Sequence, residues 1–214
     1  MRRLLPLATL LAAATLGAQP ATRCKVDTTA DWHRAQRRWL QEAPGSWSDD
    51  AFRTVLLQAA DIDLAHPLAL QLGYELAPVP ASVATGSDSA AMARLRTLAG
   101  QRGATWPTRS VVGAAGVRAV WLLSTRDTTL TATFLHRLME AGPDESMPAD
   151  VAMLEDRQRL RAGRKQIYAT QMHVVNGRVE PYPTEDLAHV DLRRDGAQLP
   201  PFAVSLCLAR EAHR

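Results

Sequence analysis

The two cysteines of this 214-residue chain, Cys24 and Cys207, stand near its opposite ends. A bond between them would bring both ends together and close nearly the whole chain into one loop. On a chain-entropy model that closure removes about 5 kcal/mol of unfolded-state entropy. Whether it forms depends on the compartment, and the first residues speak to that. Arg2 and Arg3 form a charged start, Leu4 to Leu16 an apolar run, and Gly17-Ala18 a small-residue exit, which is the layout of a cleaved secretory signal over residues 1–18. The mature chain is expected to begin at Gln19, in the periplasm or outside the cell, where disulfides persist. A single Cys24–Cys207 bridge is the simple reading, and two separate buried thiols are the alternative.

No stable membrane anchor is expected. The apolar run is about 13 residues, short of the roughly 18 to 20 that span a bilayer. A lipid-carrying cysteine is ordinarily preceded by small residues, whereas Arg23 precedes Cys24. Cleavage also changes the charge. The 25 Lys and Arg lose Arg2 and Arg3, leaving 23 basic residues against 22 acidic ones, so the basis for a general nucleic-acid role disappears.

The body of the chain reads as mainly α, a single helical domain. Residues 19–77 form an N-terminal helical segment. Within it Thr28 and Asp31 resemble a capped start, followed by Trp32, Ala35 and Trp39 at helical spacing, with His33 and the arginines on a solvated face. Ser46 and Asp49 precede the stripe Phe52, Val55, Leu56 and Ala59, and Leu68, Leu72 and Leu76 mark a third helix over 64–76. Residues 78–89, rich in Pro, Ala, Ser and Thr, read as a loop or linker.

Residues 90–214 hold the rest. Met92 and Leu95 define one helix, and a Gly- and Pro-punctuated loop from Trp106 feeds a buried helix around Val117, Val120 and Trp121. Asp127 caps the stripe Leu130, Phe134, Leu135 and Leu138, which leaves His136 outward. Pro148 opens a helix that ends at Gly163. The period then changes: residues 166–175 alternate, Asn176-Gly177 is a strong turn signal, and 178–182 can return, giving one small β-hairpin over about residues 166–182. Two short helices close the chain.

Several stretches together are similar to a family of bacterial proteins of unknown function. They are Trp106-Pro-Thr-Arg109-Ser110-Val-Val-Gly113, Gly116 with Ala119 and Trp121, Leu154-x-Asp156-Arg157, and Gln166-x-Tyr168-Ala169-Thr170-Gln171. The resemblance covers roughly 90 to 208 and implies the patterns WPxRSxVG, LxDR and QxYGTQ, but no chemistry. Two positions depart from it: Thr125-Arg126 stands where the family commonly shows Gln-His, and Ala169 where the third pattern has glycine.

A candidate polar site follows from these stretches: Trp106, Arg109, Ser110, Trp121, Asp156, Arg157, Tyr168, Thr170, Gln171 and His173. Large or polar residues are costly to bury unless they meet one another, so they are expected to converge, with Asp156 paired to Arg109. Ser110, His173 and Asp156 are the only triad candidates inside these stretches, and no Gly-x-Ser-x-Gly elbow surrounds Ser110. Arg157, Arg161 and Arg164 form a stripe of the kind that can bind a phosphate or carboxylate, and the reading favoured is a solvated helix face near a helix C-terminus. No histidine pair has metal-ligand spacing, and no pattern calls for a metal or cofactor. The expected function is an exported envelope protein acting structurally or through an unknown protein partner. The alternative is a small-ligand-binding protein or hydrolase using Arg109, Asp156, Tyr168 and Gln171, so whether it is an enzyme stays open.

Overall fold

The computed structural model describes residues 24–43, 45–60, 90–101, 104–125 and 127–213. The signal-like 1–18, the helix read over 64–76 and the linker 78–89 lie outside these residues. Among the described residues the chain forms eight α-helices and one two-stranded hairpin: α1 (Asp31–Leu40), α2 (Asp50–Ala59), α3 (Ala90–Gly100), α4 (Arg109–Ser124), α5 (Thr128–Ala141), α6 (Pro148–Arg161), β1 (Met172–Val175), β2 (Arg178–Pro181), α7 (Val190–Gly196) and α8 (Phe202–Ala212). None of these helices is long and apolar enough to cross a membrane.

Helix α4 is the axis of the fold. From Val112 to Ser124 every residue except Leu122 is buried, as expected of a helix apolar nearly all round. Helix α2 lies against its start, where Ser48 N and Asp49 N donate to the carbonyls of Ser110 (3.0 Å) and Val111 (2.8 Å). Asp49 also caps α2 by accepting from Phe52 N at 2.8 Å, which turns Phe52 and Leu56 into the core. In the same way Asp127 caps α5 through Thr129 N and Leu130 N, and Leu130, Phe134 and Leu138 of that helix are all but fully buried. Burying each such side chain stabilises by about 1.5–3 kcal/mol. His136 of the same helix points outward, 70% exposed.

The segments carrying the two cysteines meet as the sequence suggests. Cys24 and Cys207 are bonded, with Cα atoms 5.8 Å apart, and Cys24 N donates to Glu211 Oε1 at 2.7 Å. The two-thiol alternative therefore falls. In the hairpin, Val174 faces Val179 and Val175 faces Arg178. Asn176 and Gly177 both take positive φ (50° and 75°), which matches the primed turn that suits strand twist.

Two local expectations are corrected. His33 is buried, 8% exposed, because α1 turns His33, Gln36 and Trp39 to the body, with Gln36 Nε2 reaching Gln198 O at 3.5 Å. The face chosen by tertiary contact is one step round from the face chosen by apolar count. The strand expected from residue 166 begins only at Met172, because the main-chain N–H groups of Ile167, Tyr168 and Thr170 are drawn to Asp156 instead of a neighbouring strand.

Candidate functional site

Helix α6 carries Asp156 on its inward side, fully buried. A carboxylate removed from water is costly unless its lone pairs are met. Here they are met by the following loop: Ile167 N donates at 2.6 Å, Tyr168 N at 3.1 and 3.2 Å to the two oxygens, Thr170 N at 3.0 Å and Thr170 Oγ1 at 2.9 Å. The loop's carbonyls face the opposite charge. Arg194, also fully buried, donates through Nη1 to Tyr168 O at 2.7 Å, through Nε to Pro200 O at 2.7 Å and through Nη2 to Ser205 Oγ. The loop is thus held between an anion that takes the N–H groups of Ile167, Tyr168 and Thr170 and a cation that takes a carbonyl.

Gln166 and Gln171 complete the latch. Gln166 Oε1 accepts from Gln171 N at 3.0 Å, and its Nε2 donates to Gln171 O (3.0 Å) and Tyr182 O (2.9 Å). Gln171 Nε2 in turn donates to Thr170 Oγ1 at 3.1 Å. Ala169 sits inside, buried, with φ of 53°.

Arg109 is not the partner of Asp156. Its Nε lies 3.9 Å from Glu42 Oε1, its Nη2 reaches Gln41 O at 3.5 Å, and its guanidinium lies 5.5 Å from the centre of the Trp39 ring. Ser110 is nearby but engaged elsewhere, its N–H donating to Glu145 Oε2 at 2.8 Å. Burial pushes the Glu145 carboxyl up, but bonds from Ser110 and Thr108 and the Arg109 charge outweigh it and hold the group below its ordinary value. Trp106 packs on Phe134 with ring centres 6.1 Å apart, and Trp121 lies under Arg118 at 4.3 Å. His173 stacks on Tyr182 in the hairpin at 4.1 Å. No hydrogen bond joins Ser110, Asp156 and His173, so the triad is not assembled. Arg157 is half-buried rather than solvated, and burial followed by the nearby Arg161 charge lowers its pKa. The expected single constellation is therefore two: the Asp156 latch, and a cluster at the start of α4.

A model of a family of unknown function, DUF6624, matches residues 54–214. The chain belongs to that family. No curated protein and no solved structure matches it. The DUF6624 span begins inside α2 and takes in every residue of the latch. It leaves out α1 and the loop carrying Glu42.

Two hollows adjoin these clusters, one lined wholly by residues of the DUF6624 span and one that α1 helps to line. An apolar groove of about 470 Å³ is lined by Leu138, Met139, Val151, Tyr168 and Leu192 among others. Tyr168 is the candidate-site residue that faces it, its phenol pKa raised by burial and then by Glu155. Arg193 on the groove wall is spent, donating to Ile167 O at 2.9 Å, Glu185 O at 2.6 Å and Asp186 O at 2.9 Å. A smaller hollow of about 220 Å³ beside Trp39 and Arg109 lies across Pro143 and Pro148, which line both. Among the described residues, one group has metal-ligand potential, Cys24, Cys207 and Glu211, and both of its sulfurs are in the disulfide.

Sequence reasoning missed Glu42, Arg53 and the buried Arg118–Asp150 pair, 3.6 Å apart. The available signal was a charge inside an apolar pattern: Arg53 sits beside Phe52 on the inward stripe, and Arg118 stands within the run Val117 to Leu123. Such a charge needs a buried partner.

Proposed function

We propose that this chain is an exported, non-catalytic interaction protein whose recognisable polar residues are architectural. The observation that carries the reading is the Asp156 carboxylate, fully buried and bonded to four donors of its own chain. A general base or nucleophile must reach a substrate, and this group is spent on the fold. Export rests on the signal-like residues 1–18 and agrees with the Cys24–Cys207 disulfide. The working surface on this reading is the apolar groove, where exposed Met139 and Leu192 offer contact to a protein partner.

One observation favours the second reading, a small-molecule-binding protein or hydrolase. Tyr168 lines a groove whose volume falls in the usual range for ligand sites. Native mass spectrometry of protein purified from the envelope fraction separates the two. Unliganded chain, starting at or near Gln19, is the expected result. A stoichiometric small molecule that is lost in Tyr168→Ala would move the assignment to the second reading, and protein confined to the cytosol with residues 1–18 intact would refute export.

A further inference from the structure

Helix α4 is interrupted one turn after its start. Gly113 has φ of 71°, so the helix begins afresh at Ala114, whose N–H has no partner within the helix. That N–H donates to the Glu42 carboxylate, which is 8% exposed. Two guanidiniums flank the same carboxylate: Arg53, 9% exposed, with Nη1 3.7 Å from one oxygen, and Arg109, with Nε 3.9 Å from the other. Arg53 Nη1 is fixed in place by donating to Val112 O at 2.8 Å. A Cβ on residue 113 would overlap the Arg53 guanidinium and approach Glu42 Oε2 to 2.8 Å, so only glycine lets the main chain come this close to the anion. A renewed helix start, two cations and a Cβ-free approach together make a cradle for one carboxylate.

Arg109 and Gly113 lie within the residues matched by the family model, whereas Glu42 and Arg53 both precede residue 54, where that match begins. Arg109, 31% exposed, also lines the 220 Å³ hollow and so connects the cradle to solvent. We propose that the cradle is a carboxylate-binding site and that Glu42 is an internal ligand, which an external carboxylate replaces. This goes beyond the interaction-protein reading and does not depend on the compartment.

Two tryptophans report on the exchange, since Trp47 lies under Arg53 at 4.0 Å and Trp39 under Arg109 at 5.5 Å. The full oxidised chain is titrated with acetate at constant ionic strength while the indole N–H resonances of Trp39 and Trp47 are followed, with acetamide as the neutral control. In Glu42→Gln the amide keeps an acceptor for Ala114 N but loses the charge. Saturable shifts are expected in both proteins, with acetate binding about tenfold tighter to the variant, the worth of one charge-assisted contact. Acetamide should move neither signal, and adding Arg109→Ala to the variant should abolish the shifts. Glu42→Asp, which withdraws the carboxylate by one methylene, carries the same titration if the Gln variant does not fold. Absence of saturable shifts in the variants, or equal affinity in variant and wild type, overturns the proposal. Binding to the variant alone makes Glu42 a fixed helix cap and overturns it too.

Discussion

Thr170 is joined twice to Asp156, whose Oδ2 accepts the threonine N–H at 3.0 Å and its hydroxyl at 2.9 Å. The hydroxyl also accepts from Gln171 Nε2 at 3.1 Å, so it relays one donor to the carboxylate while serving another. Thr170→Val keeps the shape and deletes both roles. Urea denaturation should show a loss of about 1.5–3 kcal/mol, the range for a hydrogen bond to a charged group. A loss below about 0.5 kcal/mol would mean that the hydroxyl contributes nothing to the latch.

Ala169 occupies the left-handed region at φ of 53°, where a Cβ costs roughly 1–2 kcal/mol. Glycine, which the QxYGTQ pattern places here, removes that cost while adding freedom to the unfolded chain. Ala169→Gly should therefore stabilise by about 0.5–1 kcal/mol, read as a higher urea midpoint at unchanged slope. A destabilised variant would show that the methyl group's packing outweighs the backbone strain.

What was legible in the sequence was local. Asn176-Gly177 sets its hairpin because both residues tolerate positive φ, and Asp127 starts its helix because its carboxylate reaches N–H groups two and three residues on. The burial of Asp156 could be read from its helix face, but its partner could not. The alternation in residues 166–171 resembles a strand, and only the folded chain reveals that the N–H groups of Ile167, Tyr168 and Thr170 turn to a helix upstream. Arg109 finds Glu42 in a segment 67 positions earlier, one of 22 acidic residues it could have met. Nothing local selects that one.

Glu155 gives a pH-dependent test. Burial, the largest influence, raises its carboxyl above the ordinary value, and the neighbouring Asp156 adds to the rise. A raised folded-state value means that the contribution is full below the unfolded value and is lost as pH rises through the folded one. Ionised Glu155 is thus a cost at neutral pH. Glu155→Gln should melt about 1–3 °C higher than wild type at pH 7.5, and the difference should vanish as the pH falls through the raised folded-state value and wild-type Glu155 takes up its proton. A difference independent of pH would contradict the assignment.

The disulfide spans 183 positions, which places its chain-entropy contribution near the upper end, about 5 kcal/mol. Replacing both Cys24 and Cys207 by Ser should lower stability by about 3–5 kcal/mol. The oxidised wild type should show no titratable thiol when denatured without reductant. One thiol per cysteine in that assay would contradict the bridge.

The architectural reading of the motif residues is tested most directly by urea denaturation of Asp156→Ala, Arg109→Ala and the double variant. Removing the Asp156 carboxylate strands three main-chain N–H groups and a hydroxyl inside the protein, so a loss of about 3–5 kcal/mol is expected. Arg109, partly exposed and 3.9 Å from its carboxylate, should cost no more than about 1 kcal/mol. The two clusters share no partner, so the double variant should equal the sum of the singles within about 0.5 kcal/mol. Near-wild-type stability of Asp156→Ala, or strong coupling between the two substitutions, would contradict it.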